Sequence, residues 1–352
     1  MITLVLVTGS GRSGTSSVAG TMKRLGMHVP QPEVEADERN PRGYYEPLWV
    51  ADFHKQWLED VPVRTIDTRP DADEVAMATV TPEREETLRA WLVAELAGRA
   101  DGDVVVVKET RAYWVYRFWE RVVAAVGADV EVRLASLTML RHPTQVVRSR
   151  DSAYLSGRSD AVRLQRETAN VAAWMNSVFV TERATRGNPR AFVPYVDLIG
   201  DWRAAMTRAC GQLGVETGDL TAPHAVDDFV TTSLNRSSDT WEGLTVPDGL
   251  RDLAEQTWAA AQRLVVEPGD RDATATLDAL QAEYAELHTA AAAIAVDDTA
   301  AQVRDTRRRI EGRLDKKNAR ISQLRGTVEE LRARVAELEG TAGSTGSTGT
   351  GG

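Results

Sequence analysis

Apolar residues recur along this chain in two alternating patterns: short unbroken runs, and longer stretches in which they return at helical spacing. The first run opens Val5 to Ser17, VLVTGSGRSGTSS, where a strand stops at a glycine-rich loop and turns helical, so a helix is expected over Ser16 to Leu25, ending near Gly26. A turn-rich connection, NPRGYYEP at Asn40 to Pro47, leads into a helix whose Leu48, Trp49, Phe53, Trp57 and Leu58 share one spacing. Val61 to Val80 mixes Pro, Asp and Thr without a period and reads as a loop able to cover a site. Thr81 then opens a helix with Pro82 at its first position and Leu88, Trp91, Leu92 and Leu96 on one face.

Val104 to Val107 is the β-branched run that a parallel strand buried on both faces requires, and it ends in the polar KETR, Lys108 to Arg111. A helix over Tyr113 to Val126 follows, then a strand over Val130 to Leu140 that ends in RHP, Arg141 to Pro143. Pro143 starts a helix carrying Ser149, a second helix covers Asp160 to Arg186, and Ala191 to Val196 adds a strand. Strands alternating with helices predict an α/β fold: a P-loop-like, doubly wound parallel sheet flanked by helices, with ligands at the carboxyl ends of the strands. From Ile199 to about Leu287 the pattern is mainly helical, broken by loop residues around Ala222 to Thr245. Beyond Asp298 the period becomes a heptad, so the expected division is an α/β domain over 1–297, a coiled-coil helix over 298–340 and a flexible Gly/Ser/Thr tail over 341–352.

Composition narrows the classes. A net charge of -10 over 352 residues argues against general nucleic-acid binding, although eleven Lys or Arg against seven Asp or Glu make Arg304 to Glu339 basic. Cys210 is the only cysteine, which excludes disulfides within the chain and multi-cysteine metal sites. The first apolar run is short and lacks a basic start, and no stretch has the length of a membrane span, so a cytoplasmic location is expected.

Candidate chemistry begins at the glycine loop. Glycines let the backbone turn its N–H groups inward, and the following helix adds the positive end of its dipole, which together cradle a phosphate. Gly9 and Gly14 stand at the spacing of a Walker A loop, yet Thr15 occupies the place of its lysine. That substitution points to nucleotide binding without ATP hydrolysis. A second feature lies on the same predicted edge: Arg141-His142-Pro143, with Ser149 eight residues after the arginine.

The ordered pair, GSGRSGTSS and RHPTQVVRS, resembles the two cofactor signatures of the sulfotransferase family. The resemblance implies that Ser10, Gly11, Arg12, Ser13, Gly14, Thr15 and Ser16 bind the 5'-phosphosulfate of 3'-phosphoadenosine 5'-phosphosulfate (PAPS), and that Arg141 and Ser149 bind its 3'-phosphate. It extends over Val5 to Arg236: VVVKETRAYWVYRFW is similar to the strand and basic turn of bacterial carbohydrate-type members, YVDLIGDW to their fourth segment, and SLNRS to an arginine-bearing loop in which Arg236 would be a further 3'-phosphate contact. Arg12 stands where the family often has lysine, and KETR replaces a KDPR-like form. The implied activity is in-line transfer of a sulfuryl group to a hydroxyl of a carbohydrate or glycolipid acceptor.

Sulfuryl transfer, like phosphoryl transfer, rests on positioning and charge stabilisation. Arg12 would meet the charge growing on the bridging oxygen, Lys108 would hold the transferred sulfuryl oxygens, and no metal is expected. The acceptor hydroxyl needs a base, and glycan-modifying relatives place a glutamate where Glu46 stands in GYYEP. Tyr44 and Tyr45 could lower the polarity around it or stack on a sugar. His54, about two helical turns on, is the other candidate. Two competing readings stand beside this one: a P-loop kinase or NTPase, which would want a lysine in the loop and an acidic magnesium ligand, and a scaffold whose nucleotide fold is inactive.

In the heptads, a positions carry Arg307, Leu314, Ile321, Val328 and Val335, and d positions Ile310, Lys317, Leu324, Leu331 and Leu338. The flanking e and g positions hold Arg313, Arg320, Arg325, Arg332 and Arg334 against Glu311 and Glu339. A parallel homodimer would set Arg320 against the partner's Arg325. An antiparallel pair, an acidic partner helix, or anionic lipid at the inner face of a membrane would each relieve this.

Overall fold

The computed structural model describes residues 1–38, 40–127, 130–154, 159–231 and 238–344. The chain forms two units, Met1–His288 and Thr289–Gly352. The first is a mixed α/β unit built on four parallel strands, β1 (Ile2–Thr8), β2 (Val104–Lys108), β3 (Val132–Leu140) and β4 (Arg190–Pro194), in the order β2-β1-β3-β4. Val5 lies opposite Val106 on one side and Ala135 on the other, and Thr138 opposite Phe192. From β1 the chain winds outward to β2, then crosses back to β3 and β4. The winding reverses between β1 and β3, where open α/β sheets hold their ligands.

Alternation along the strands divides the core. Val5, Val7, Val106, Leu137 and Met139 pack against α1 (Thr15–Arg24) and α9 (Trp202–Leu213). Leu4, Leu6, Val105 and Val107 face the other way, onto α2 (Leu48–Glu59), α4 (Pro82–Leu96) and α5 (Tyr116–Val126), where Trp57, Phe118 and Trp119 are buried. Each such large apolar side chain contributes about 1.5–3 kcal/mol on burial. A third cluster joins α6 (Pro143–Tyr154), α7 (Asp160–Thr185), α11 (Asp248–Val266) and the start of α12 (Arg271–Ser344), through Val146, Trp174, Leu264 and Tyr284.

Four expectations need correction. Residues 61–80 are not a loop throughout: they contain α3 (Ala72–Met77), and Val61, Val63, Ala72 and Ala76 are buried. The fully buried Asp67 replaces the missing period as organiser, accepting from the backbone N–H of Arg64 and Arg69, both at 3.0 Å, and from the Arg69 side chain. β4 stops at Pro194, and Tyr195 begins a short helix, α8 (Tyr195–Gly200), where a strand to Val196 was expected. A 3₁₀ turn (Ala112–Val115) precedes α5, and one helical turn, α10 (Val226–Phe229), stands in the expected loop.

In the second unit the described residues continue α12 as a single helix to Ser344, laced by i,i+4 pairs such as Arg307 with Glu311 at 3.1 Å. No helix among the described residues is long and apolar enough to cross a membrane.

Candidate functional site

The carboxyl ends of all four strands supply one cluster of polar groups. After β1, Gly9 takes φ +135°, and a Cβ there would lie 2.7 Å from the Met139 carbonyl oxygen, so the loop can pass this close to β3 only as glycine. The N–H of Ser13 donates to the Ser10 carbonyl at 3.0 Å, closing the turn. Arg12 adopts φ +74°, an uncommon backbone conformation for a side-chain-bearing residue, and is exposed. Gly14 (φ +97°) precedes α1, with Tyr195 packed where its side chain would be: a Cβ would fall 2.3 Å from Tyr195 Cδ2.

The start of α1 is left open. No side chain caps it, its first turn holds no acidic residue, and its own ladder begins at Val18 N–H to the Gly14 carbonyl, 3.1 Å. The N–H groups of Thr15, Ser16 and Ser17 therefore precede the ladder at the positive end of the dipole.

Cationic side chains surround this opening. Arg12 Nε donates to Ser149 Oγ at 3.1 Å, which joins the glycine loop to α6. Arg141, at the end of β3, donates to the Arg12 carbonyl at 3.0 Å and lies 4.5 Å over the Tyr195 ring. Burial lowers the pKa of Arg141, the neighbouring Arg12 lowers it further, and Tyr195 acts in the opposite sense. Burial likewise raises the Tyr195 phenol, and Arg141 opposes it. Arg150 is buried with Nη2 3.2 Å from Ser10 Oγ and 3.1 Å from the Gly11 carbonyl, while Nη1 reaches Asn170 Oδ1 at 3.1 Å. From the end of β2, Lys108 Nζ stands 3.5 Å from Ser16 Oγ and is ion-paired with Glu46. Asn40 donates to Ser16 Oγ at 3.2 Å and to the Gly43 carbonyl at 2.7 Å, which sets the turn that delivers Glu46.

The structure thus brings Ser10 to Ser16, Arg12, Glu46, Lys108, Arg141 and Ser149 together. It places His54 elsewhere. His54 is fully buried, with Nδ1 2.6 Å from Glu109 Oε2 and Nε2 accepting from the Trp119 indole N–H at 3.1 Å. An indole only donates, so the imidazole hydrogen sits on Nδ1 and both nitrogens are engaged. Glu109 also accepts from Arg111 Nε at 2.8 Å and from its backbone N–H at 2.9 Å. Burial works against its ionisation, but the His54 and Arg111 hydrogen bonds prevail and hold the carboxyl at about 2. KETR therefore splits at the strand end: Lys108 joins the site, while Glu109 and Arg111 clamp α2, Arg111 donating to the Ala51 carbonyl at 2.9 Å.

Tyr45 is packed into the core. It takes φ +55°, is buried 5.7 Å from Phe229, and donates to the Arg42 carbonyl at 2.7 Å. Tyr44 donates to Asp37 at 2.8 Å and leaves its ring 5.9 Å from Lys108 Nζ. Arg236 and its SLNRS segment lie outside the described residues. Among the described residues no group of three or more His, Cys, Asp or Glu could hold a metal ion. Sequence reasoning missed Arg150, Asn40 and Tyr195. The only signal for Arg150 was its place directly after Ser149, since nothing in RSR says which arginine turns inward.

No family model matches the chain, and no curated protein matches it. Among solved structures it is similar to the sulfotransferase domain from the Synechococcus PCC 7002 olefin synthase: 18% identity, 72% of this chain and 93% of that chain covered, TM-score 0.38. It is also similar to the sulfotransferase domain from the curacin biosynthetic pathway, at 15% identity over 73% of this chain and 97% of that chain, TM-score 0.38. A sulfotransferase from Alicyclobacillus acidocaldarius matches at 14% identity over 77% of this chain and 97% of that chain, TM-score 0.40.

Proposed function

We propose that this chain is a PAPS-dependent sulfotransferase that transfers a sulfuryl group to a hydroxyl of a carbohydrate or glycolipid acceptor on a P-loop-like, doubly wound sheet. The observation that carries this reading is the linkage of Arg12, Ser149 and Arg141 around an uncapped helix start whose loop has Thr15 in place of a lysine. The residues fit such a donor. Open N–H groups and the Thr15 and Ser16 hydroxyls suit a 5'-phosphate, and Arg141 with Ser149 suits a second phosphate, which ATP lacks at that end of the ribose.

The donor supplies an activated sulfuryl group and a bisphosphate that can leave with the electron pair of the broken bond. Arg12 stabilises charge on the departing oxygen. Glu46 accepts the proton of the acceptor hydroxyl as that oxygen bonds to sulfur, and Lys108, in contact with Glu46, holds the carboxylate in place and offers its remaining hydrogens to the sulfuryl oxygens. The carbohydrate class is supported by the resemblance of VVVKETRAYWVYRFW, Val105 to Trp119, to the strand and basic turn of bacterial carbohydrate-type members.

One observation favours phosphoryl transfer instead: Lys108 approaches Ser16 from the neighbouring strand, where it could stand in for a loop lysine. Thermal shift separates the two. Adenosine 3',5'-bisphosphate should stabilise the protein more than magnesium ATP, and stabilisation by ATP alone refutes the proposal. Glu46→Gln should abolish transfer from PAPS while bisphosphate binding persists, and normal transfer by that variant would remove Glu46 from the role of base.

A further inference from the structure

The stripe Ile310, Leu314, Ile321, Leu324, Val328, Leu331 and Val335 lies 46–58% exposed along one continuous helix. It is confined to a and d positions, the narrow seam of a coiled coil rather than the broad face of a globular or membrane-surface helix. Residues 289–344 contain no aromatic side chain, which an interfacial helix would use as its anchor. We propose that this stretch pairs with a second copy of the chain as an antiparallel two-stranded coiled coil.

Orientation follows from the charges. A parallel, in-register pair sets each seam residue beside its own copy, so Lys317 would meet the partner's Lys317 and Arg307 the partner's Arg307, with Arg320 flanking the partner's Arg325. In an antiparallel pair centred between Ser322 and Gln323, a layers meet d layers. Ile321 then packs on the partner's Leu324, Leu314 on the partner's Leu331, and Ile310 on the partner's Val335. Lys317 falls beside the partner's Val328, where its ammonium can reach water. At the e positions Glu311 meets the partner's Arg332, twice per dimer by symmetry. Arg313 beside the partner's Arg334 is the like-charge contact that remains.

The test uses the full chain. Sedimentation should find a dimer. Glu311→Lys and Arg332→Glu should each weaken it by about tenfold, and the double variant should recover it. In a parallel pair Glu311 faces the partner's Thr306 and Arg332 the partner's Thr327, so no recovery would follow. A spin label at Ala333→Cys reads orientation directly, because Cys210 is buried and escapes labelling. Antiparallel copies place Ala333 level with the partner's Gly312, so the two labels stand roughly 32 Å apart along the axis, at 1.5 Å per residue. Labels side by side overturn the proposal, as does a chain that stays monomeric at all concentrations or floats as a monomer with vesicles of anionic phospholipid.

Discussion

Replacing Glu109 by Gln keeps the shape of a side chain that is 1% exposed and removes its charge. The carboxyl stands at about 2 against an ordinary 4.5, because the His54 and Arg111 hydrogen bonds outweigh the penalty of burial. At 1.36 kcal/mol per unit, that displacement is worth about 3 kcal/mol at neutral pH. A depressed carboxyl contributes fully above the unfolded value and loses its contribution as pH falls towards the folded one. About 1 kcal/mol should therefore remain at pH 3. Urea unfolding followed by tryptophan fluorescence measures this well, since Trp119 lies against His54. Glu109→Gln should cost about 3 kcal/mol at pH 7, and the gap to the parent protein should narrow to about 1 kcal/mol at pH 3. A cost below about 1 kcal/mol at pH 7, or a gap that does not change with pH, would refute the account of a charged clamp between β2 and α2.

Further outcomes can be checked alongside. Gly14→Ala puts a Cβ 2.3 Å from the Tyr195 ring at φ +97°, so it should lower stability by about 2–4 kcal/mol in denaturant titration and weaken bisphosphate binding in the same protein. Arg141→Ala should raise the dissociation constant for adenosine 3',5'-bisphosphate by at least about tenfold in calorimetry, and an unchanged value would remove Arg141 from the anion site. Ser149→Ala frees Arg12 Nε and should weaken the same binding by about three- to tenfold, whereas His54→Gln should reduce thermal stability and leave the pH dependence of transfer in place. Burial pushes the Cys210 thiol up to about 12, so alkylation at pH 8 should be negligible until the chain is unfolded; rapid labelling of the folded protein would contradict its burial.

Residues adjacent in sequence carried much of this site. The strand-loop-helix start, Arg12, and the eight-residue step from Arg141 to Ser149 could be read directly, because a glycine turn and a strand-to-helix junction are local structures with local signatures. Lys108 and Glu46 were legible as single candidates from a strand tip and a turn. Their ion pair was not, since it joins a strand end and a turn 62 residues apart that meet only in the folded chain.

Where position depended on the partner across the core, the sequence was silent. His54 has the residue type of a base and the helical placement to serve as one, but Trp119 and Glu109 claim both of its nitrogens. Residues 61–80 have no apolar period, and the burial of Asp67 among them comes from packing against α7, where Asn176 donates to the Asp67 carbonyl at 3.1 Å. Arg150 follows the same logic: its guanidinium turns inward onto Ser10 and Gly11, in the loop after β1. Apolar periodicity and turn chemistry are properties of a few consecutive residues and survive in any window of sequence. Hydrogen-bond partners and the burial of charge are properties of pairs far apart in the chain, and they come into being only when the four strand ends meet at one edge.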